Sequence, residues 1–248
     1  MTYAGFLLLF LIVPTLLQLW GIWQMEKRGH LPRPKLHHHW RGIAILACVA
    51  FVWTTPWDNY LIFCGVWDSP ADRVFGHIFY VPLEEYAFFI LMPLFNGAVL
   101  CWFLRGLPKE PSTWRLPQWR ERLIALLFGL LIFCGGLYSL SHERGLYLGL
   151  ILVWFTPPIL IQWLFDPAAL LRAKRIVLLG TLLPAIYLGL VDSYAIQKGI
   201  WVISEAKTTG LRLPNLPLEE LLFFAVTSFL LSQGIVLWHS INTPPDKS

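Results

Sequence analysis

The chain has 248 residues, a formal net charge of +4, and side chains that are 56% hydrophobic and only 14% charged. With a mean hydropathy of +0.60 and apolar runs of about 20 residues, a water-soluble globular domain is excluded and an all-α, polytopic membrane protein is expected. The small positive charge is a topology signal and gives no reason to invoke nucleic acid.

Seven membrane helices are predicted, because an isolated span must satisfy its own backbone hydrogen bonds. The first, at roughly 3–24, has no basic residue ahead of it and no A-x-A-like cleavage site, so it is expected to be retained. After it comes a basic stretch containing His37-His38-His39, read as a solvated, headgroup-facing turn in preference to a metal tract. The second span, at roughly 41–62, carries Asp58 near its end, and the third, at roughly 83–104, opens on Glu84 and Glu85. Between them His77 reads as either a proton relay or a loop residue. A fourth span at roughly 121–140 and a fifth at 146–165 follow; the sixth, at roughly 175–196, carries Asp192, and the seventh, at 218–239, opens on Glu219 and Glu220. Cys48, Cys64, Cys101 and Cys134 lie singly and are read as small buried hydrophobes.

Basic residues set the expected orientation. The loops after the first, third and fifth spans, with Lys247 in the tail, hold 14 of the 19 Lys and Arg residues, Arg105, Lys109 and Arg115 among them. The positive-inside rule therefore places the amino terminus outside a cell membrane and the carboxyl terminus in the cytoplasm.

The chain also repeats itself. Pro82-Leu83-Glu84-Glu85-Tyr86-Ala87-Phe88-Phe89 is echoed by Pro217-Leu218-Glu219-Glu220-Leu221-Leu222-Phe223-Phe224. Upstream, Asp58-x-Tyr60-x-Ile62-x-x-Gly65-x-Trp67 is echoed by Asp192-x-Tyr194-x-Ile196-x-x-Gly199-x-Trp201, and Gly5, Pro14 and Gln18 by Gly149, Pro158 and Gln162. Spans one to three thus recur as five to seven, a parallel 3+1+3 arrangement about an axis along the membrane normal. The expected units are 1–110, a connector at 111–145, and 146–248.

Asp58 lies about 25 Å along a helix from Arg41, and Asp192 the same distance from Arg175, so the acids gather toward the outer side. Aromatics accompany both clusters: Trp57, Tyr60, Trp67, Tyr86, Phe88 and Phe89 in one, Tyr194, Trp201, Phe223 and Phe224 in the other. Ionised groups are costly in a span and usually have a task there. Two readings stay open for each motif. The Pro-Leu-Glu-Glu elements could be proton-transfer sites or helix starts with acids at the positive dipole end. Asp58 and Asp192 could be acids of the site or partners for a Trp or Tyr donor. Neighbouring glutamates are about 100° apart on a helix, so at most one of each pair can face a common cavity. No Walker loop, G-x-G-x-x-G, G-x-S-x-G or H-E-x-x-H is present, so no cofactor and no metal is expected.

The paired Pro-x-Glu-Glu elements, each followed by Phe-Phe in a duplicated three-span unit, resemble the lycopene beta-cyclases of the heterodimeric type in their fused, single-chain form. The resemblance implies lycopene and other carotenoids as substrates, with membrane lipid and other enzymes of the same pathway as partners. It implies ring formation by carboxyl acid–base chemistry with no net redox change. Glu84 and Glu219 are then the expected primary proton-transfer groups, Glu85 and Glu220 their tuning partners, and Asp58 and Asp192 relay acids. Tyr60, Trp67, Tyr86, Phe88, Phe89, Tyr194, Trp201, Phe223 and Phe224 would line the substrate site. Hydration of a carotenoid end, a different ring isomer, and a proton-coupled transporter are the alternatives; against transport, the acids lie toward one side rather than at the midplane.

If the two halves share one cavity, neither should work alone. Fragments 1–142 and 143–248 expressed separately should form no rings, and co-expressed they should regain activity. Full activity from one fragment would refute a shared site.

Overall fold

The computed structural model describes residues 1–30, 33–103 and 119–241. The expected boundary between 110 and 111 lies outside these residues, as do Arg105, Lys109, Arg115 and Lys247 of the basic loops and tail. The architecture is all-α with three two-residue strand pairs at one end. The first helix is continuous over Tyr3–Lys27: α1 (Tyr3–Leu7), a π-helical turn (Leu8–Ile12) and α2 (Val13–Lys27). Then come α3 (Arg33–Phe63), α4 (Leu83–Cys101), α5 (Trp119–Leu140), α6 (Leu146–Phe165), the short α7 (Pro167–Arg172), α8 (Lys174–Gln197) and α9 (Leu218–Ile241).

Six of the helices described are long and apolar enough to cross a membrane. The long helix outside that set is α3. It is 31 residues long, but Thr54, Thr55, Pro56, Asp58 and Asn59 break its apolar run. It also begins eight residues earlier than hydropathy suggests, taking in the histidines expected in a turn. His39 is fully buried there. One ring nitrogen, Nε2, lies 2.8 Å from the Gly97 carbonyl and the other 3.3 Å from His239 Nε2, while the His38 ring stacks on Trp238 at 5.0 Å. These imidazoles dock α3 onto α4 and α9; His37 alone is exposed. Among the cysteines, Cys101 is buried, but Cys48 and Cys134 are exposed on their helices, which corrects the expectation of uniform burial.

Helix α9 is the hub, touching α3, α4, α6, α7 and α8, whereas α5 packs chiefly along α6. The latter contact is made by glycine: a Cβ on Gly149 would lie 2.8 Å from the Gly136 carbonyl oxygen, so only small residues let the two backbones approach this closely.

Two glycines end helices where conformation requires them. Gly65 (φ 69°) follows α3 and Gly199 (φ 62°) follows α8. In both, the next N–H reaches back over the last turn, from Val66 to the Leu61 carbonyl and from Ile200 to the Ala195 carbonyl, each at 3.0 Å. The released chains form β1 (Trp67–Asp68) and β4 (Val202–Ile203), which pair antiparallel, Trp67 opposite Ile203 and Asp68 opposite Val202. A hairpin of β2 (His77–Ile78) and β3 (Val81–Pro82) enters α4, and a second of β5 (Arg212–Leu213) and β6 (Leu216–Pro217) enters α9. Each Pro of the repeated motif is thus the last strand residue, one position before the helix.

The first helix carries its own irregularity. Pro14 lacks the N–H that an α-helix would direct at the Phe10 carbonyl, and that carbonyl accepts from the Tyr187 hydroxyl of α8 at 2.7 Å. Replacing Tyr187→Phe removes this donor while keeping the ring that stacks on Phe95 at 5.0 Å. The variant should lose about 1–3 kcal/mol of stability, read from unfolding midpoints in detergent or lipid; an unchanged midpoint would refute the assignment.

Candidate functional site

The repeated Asp-x-Tyr-x-Ile-x-x-Gly-x-Trp element closes on itself. The glycine stop turns the chain back, and the Trp ring nitrogen nine residues on donates to the Asp at the end of the helix. Trp67 Nε1 reaches Asp58 Oδ1 at 2.8 Å and Trp201 Nε1 reaches Asp192 Oδ1 at 2.8 Å. Both aspartates are buried. The second oxygen of each, Oδ2, has no hydrogen-bond partner among the described residues. The aspartates are thus held by tryptophan, one of the two readings open from sequence, and they also line a cavity.

That cavity has a free volume of about 590 Å³, its open mouth included. Asp58, Glu85, Asp192 and Glu220 all face it, so four buried carboxyl groups converge from α3, α4, α8 and α9. Each glutamate has a tyrosine. Tyr3, the first residue of α1, donates its hydroxyl to Glu85 Oε2. Tyr147, near the start of α6, hydrogen-bonds Glu220. Tyr3 also packs on Trp201 with ring centroids 4.8 Å apart, so it touches one half's glutamate and the other half's tryptophan. The remaining wall is apolar and mostly aromatic: Phe6, Trp57, Trp67, Phe88, Phe223 and Phe224 among others.

Glu84 and Glu219 are placed differently. Both are buried, yet neither lines the cavity. Glu84 Oε1 accepts from the Phe75 N–H at 2.9 Å and Glu219 Oε1 from the Thr209 N–H at 2.7 Å. Each thus clasps the loop that leads into its own helix. The hairpins add a backbone bond apiece, Leu83 N–H to the Gly76 carbonyl and Leu218 N–H to the Leu211 carbonyl, both at 2.9 Å. With the hairpin fixed in this way, the 100° step along the helix turns the second glutamate of each motif toward the cavity.

Of the aromatics expected from sequence, Trp67, Phe88, Trp201, Phe223 and Phe224 line the cavity. Tyr60 and Tyr194 do not and are partly exposed. Tyr86 turns its hydroxyl to the Ile78 carbonyl of the hairpin at 3.1 Å, and Phe89 is buried against Phe51 and Tyr86. His77 sits exposed in β2, away from the cavity. Sequence reasoning missed Tyr3, Phe6 and Tyr147, and noted Trp57 only as a neighbouring aromatic. A signal for the tyrosines existed: Tyr3 and Tyr147 stand two residues before Gly5 and Gly149, in the same weak echo. Among the described residues no group of three or more His, Cys, Asp and Glu side chains is placed to hold a metal ion.

What four hydrogen-bonded carboxyl groups in an aromatic-walled cavity can do is add and remove protons away from bulk water. Comparison with known proteins narrows this. The lycopene cyclase family model matches residues 1–103 and 144–238. The lycopene beta-cyclase of Halobacterium salinarum is 37% identical over 197 residues, covering 79% of this chain and 81% of that protein. The bifunctional lycopene cyclase/phytoene synthase of Arthroderma gypseum is 36% identical over 215 residues, covering 80% of this chain and 36% of that longer protein. The corresponding bifunctional protein of Phycomyces blakesleeanus is 35% identical over 192 residues, covering 75% of this chain and 32% of its own. No solved structure matches the chain. With both halves matched by the family model and the four-carboxyl cavity built from both, the chain belongs to the lycopene cyclase family.

Proposed function

We propose that the protein is a membrane-embedded lycopene beta-cyclase that forms beta-ionone rings by carboxyl acid–base catalysis. The observation that carries this reading is the convergence of Glu85, Glu220, Asp58 and Asp192 on one aromatic cavity in a member of this family. The reaction is an isomerisation. A carboxyl group adds a proton to the terminal double bond of lycopene and leaves a tertiary cation. The next double bond inward attacks it, closing the ring and moving the cation to a ring carbon. Loss of the proton from the ring carbon that bears the polyene chain restores a double bond, and a carboxylate accepts that proton. Electrons balance without an oxidant or reductant.

Glu85 and Glu220 are the proton-transfer pair. They line the cavity and each has a tyrosine partner, Tyr3 donating its hydroxyl to Glu85 Oε2 and Tyr147 pairing with Glu220. This moves the reacting positions one residue on from Glu84 and Glu219, whose carboxylates hold the hairpins over the site. Asp58 and Asp192, pinned by Trp67 and Trp201, carry protons between the cavity and its surroundings. The chain spans the membrane seven times in a parallel 3+1+3 repeat, α3 included, with the amino terminus outside and the carboxyl terminus in the cytoplasm. Lipid surrounds the exposed apolar faces of α2, α5 and α8.

Substitution separates the two glutamates of each motif. Glu85→Gln and Glu220→Gln should each lower the rate of ring formation about a hundredfold or more at normal protein level. Glu84→Gln and Glu219→Gln keep an acceptor oxygen for the loop N–H and should act far more mildly. The reverse order, read by chromatography of pigments from a lycopene-accumulating host, would return the reacting role to Glu84 and Glu219. In heavy water each new ring should carry one deuterium, and isolated membranes should need no stoichiometric nicotinamide or flavin reductant. An unlabelled product would rule out the protonation step.

A further inference from the structure

The two sides of the cavity come from corresponding positions in the two motifs, but they are not chemically alike. Trp57, one residue before Asp58, is buried with 3% of its surface exposed and forms part of the cavity wall. The residue one position before Asp192 is Val191, also in the wall. Trp57 is held firmly. Its ring stacks on Phe223 with centroids 5.3 Å apart and planes 18° apart, and meets Phe155 edge-on at 5.1 Å. Its Nε1–H donates to the Leu150 carbonyl of α6 at 3.3 Å, which fixes the plane of the ring. Phe155 repeats the asymmetry: at the spacing that relates Tyr3 to Tyr147, its counterpart is Leu11. Trp57 also lies 6.4 Å, centroid to centroid, from Tyr147, the partner of Glu220.

A cation is attracted to the face of an aromatic ring, most strongly to indole and most of all where water is excluded; an isopropyl side chain offers no such attraction. Resting on the cyclase reading above, we infer that Trp57, with Phe223 beside it, is the wall that holds the ring cation, and that it thereby determines which proton leaves. The cation formed on ring closure lies on the Glu220 side of the cavity. It can lose a proton from the ring carbon that bears the chain, giving the beta ring, or from the ring methylene on its other side, giving a ring with a displaced double bond. It can also be captured by water, which adds hydroxide equivalent to the cation and returns a proton to a carboxylate. Held against Trp57, the cation meets the carboxylate in one orientation and only the first outcome is fast. The two sides of a duplicated cavity thus acquire different jobs: the Glu220 side faces the cation and the Glu85 side delivers the incoming proton.

The test uses the full chain in a lycopene-accumulating host and in isolated membranes supplied with lycopene, with pigments separated by chromatography and rates normalised to membrane-resident protein. Trp57→Val installs the side chain found at position 191 and should lower beta-ring formation about thirtyfold, the equivalent of about 2 kcal/mol of cation stabilisation. Its residual product should shift toward displaced-double-bond rings or hydroxylated ends. Trp57→Phe retains a π face and should keep the beta-ring pattern with only a fewfold loss of rate. Trp57→Val cyclising at the parental rate with the parental pattern would overturn the proposal. So would equal losses in the Val and Phe variants, since shape rather than ring electrons would then be what this position supplies. Failure of the unsubstituted protein to form any ring would sink the cyclase reading itself and is distinguishable from both.

Discussion

Four carboxyl groups buried in one apolar cavity set the terms for the rest of the structure. Removing such a group from water is costly unless a hydrogen-bond partner meets it, so each needs a donor delivered at the right distance. Asp58 and Asp192 obtain theirs locally. A glycine in the left-handed region ends the helix, the chain folds back, and an indole N–H arrives at 2.8 Å in both halves. Glu85 and Glu220 obtain theirs from far away in sequence, from tyrosines at the starts of other helices. The tight helix stops, the hairpins and the course of the first helix are conditions for closing these bonds.

The donors also interlock the two halves. Tyr3 bonds Glu85 and packs on Trp201, Trp57 packs on Phe223, and β1 pairs with β4 across the cavity end. Deeper in the bundle Asn96 Nδ2 donates to Ser228 Oγ at 3.2 Å, joining α4 to α9. The cavity therefore belongs to neither half. Such an arrangement suits chemistry in which a proton arrives on one side of a substrate end and leaves on another, because acids from both halves surround one volume. It also makes departures from symmetry consequential, since an aromatic face at one position and an aliphatic side chain at its counterpart, as at Trp57 and Val191, differ in their attraction for positive charge.

Much of this was legible in the chain itself. Hydropathy located each long helix among the described residues, because in an apolar solvent a lone segment satisfies its own backbone only as a helix. The repeated glycines and the Asp–Trp spacing of nine carried the clasp geometry, as both partners lie on one local turn of chain. The identities of the acids were visible too, since charged residues in apolar segments stand out. The 100° step between adjacent glutamates indicated that one of each pair would turn away, but not which one.

That choice was made by tertiary structure. Glu84 and Glu219 face away because the N–H groups of Phe75 and Thr209 wait for them in loops whose path depends on the packed bundle. Tyr3 meets Glu85 across 82 positions of sequence, a pairing that no local periodicity encodes. His39 is buried because α4 and α9 happen to pass there, so a basic stretch that reads as a solvated turn becomes a helix contact. The sequence by itself determined which residues could be helical, which could bear protons and which turns could close, all properties of a few neighbouring residues. Which groups share the cavity was decided only by helix packing, because facing is set by contacts between segments far apart along the chain.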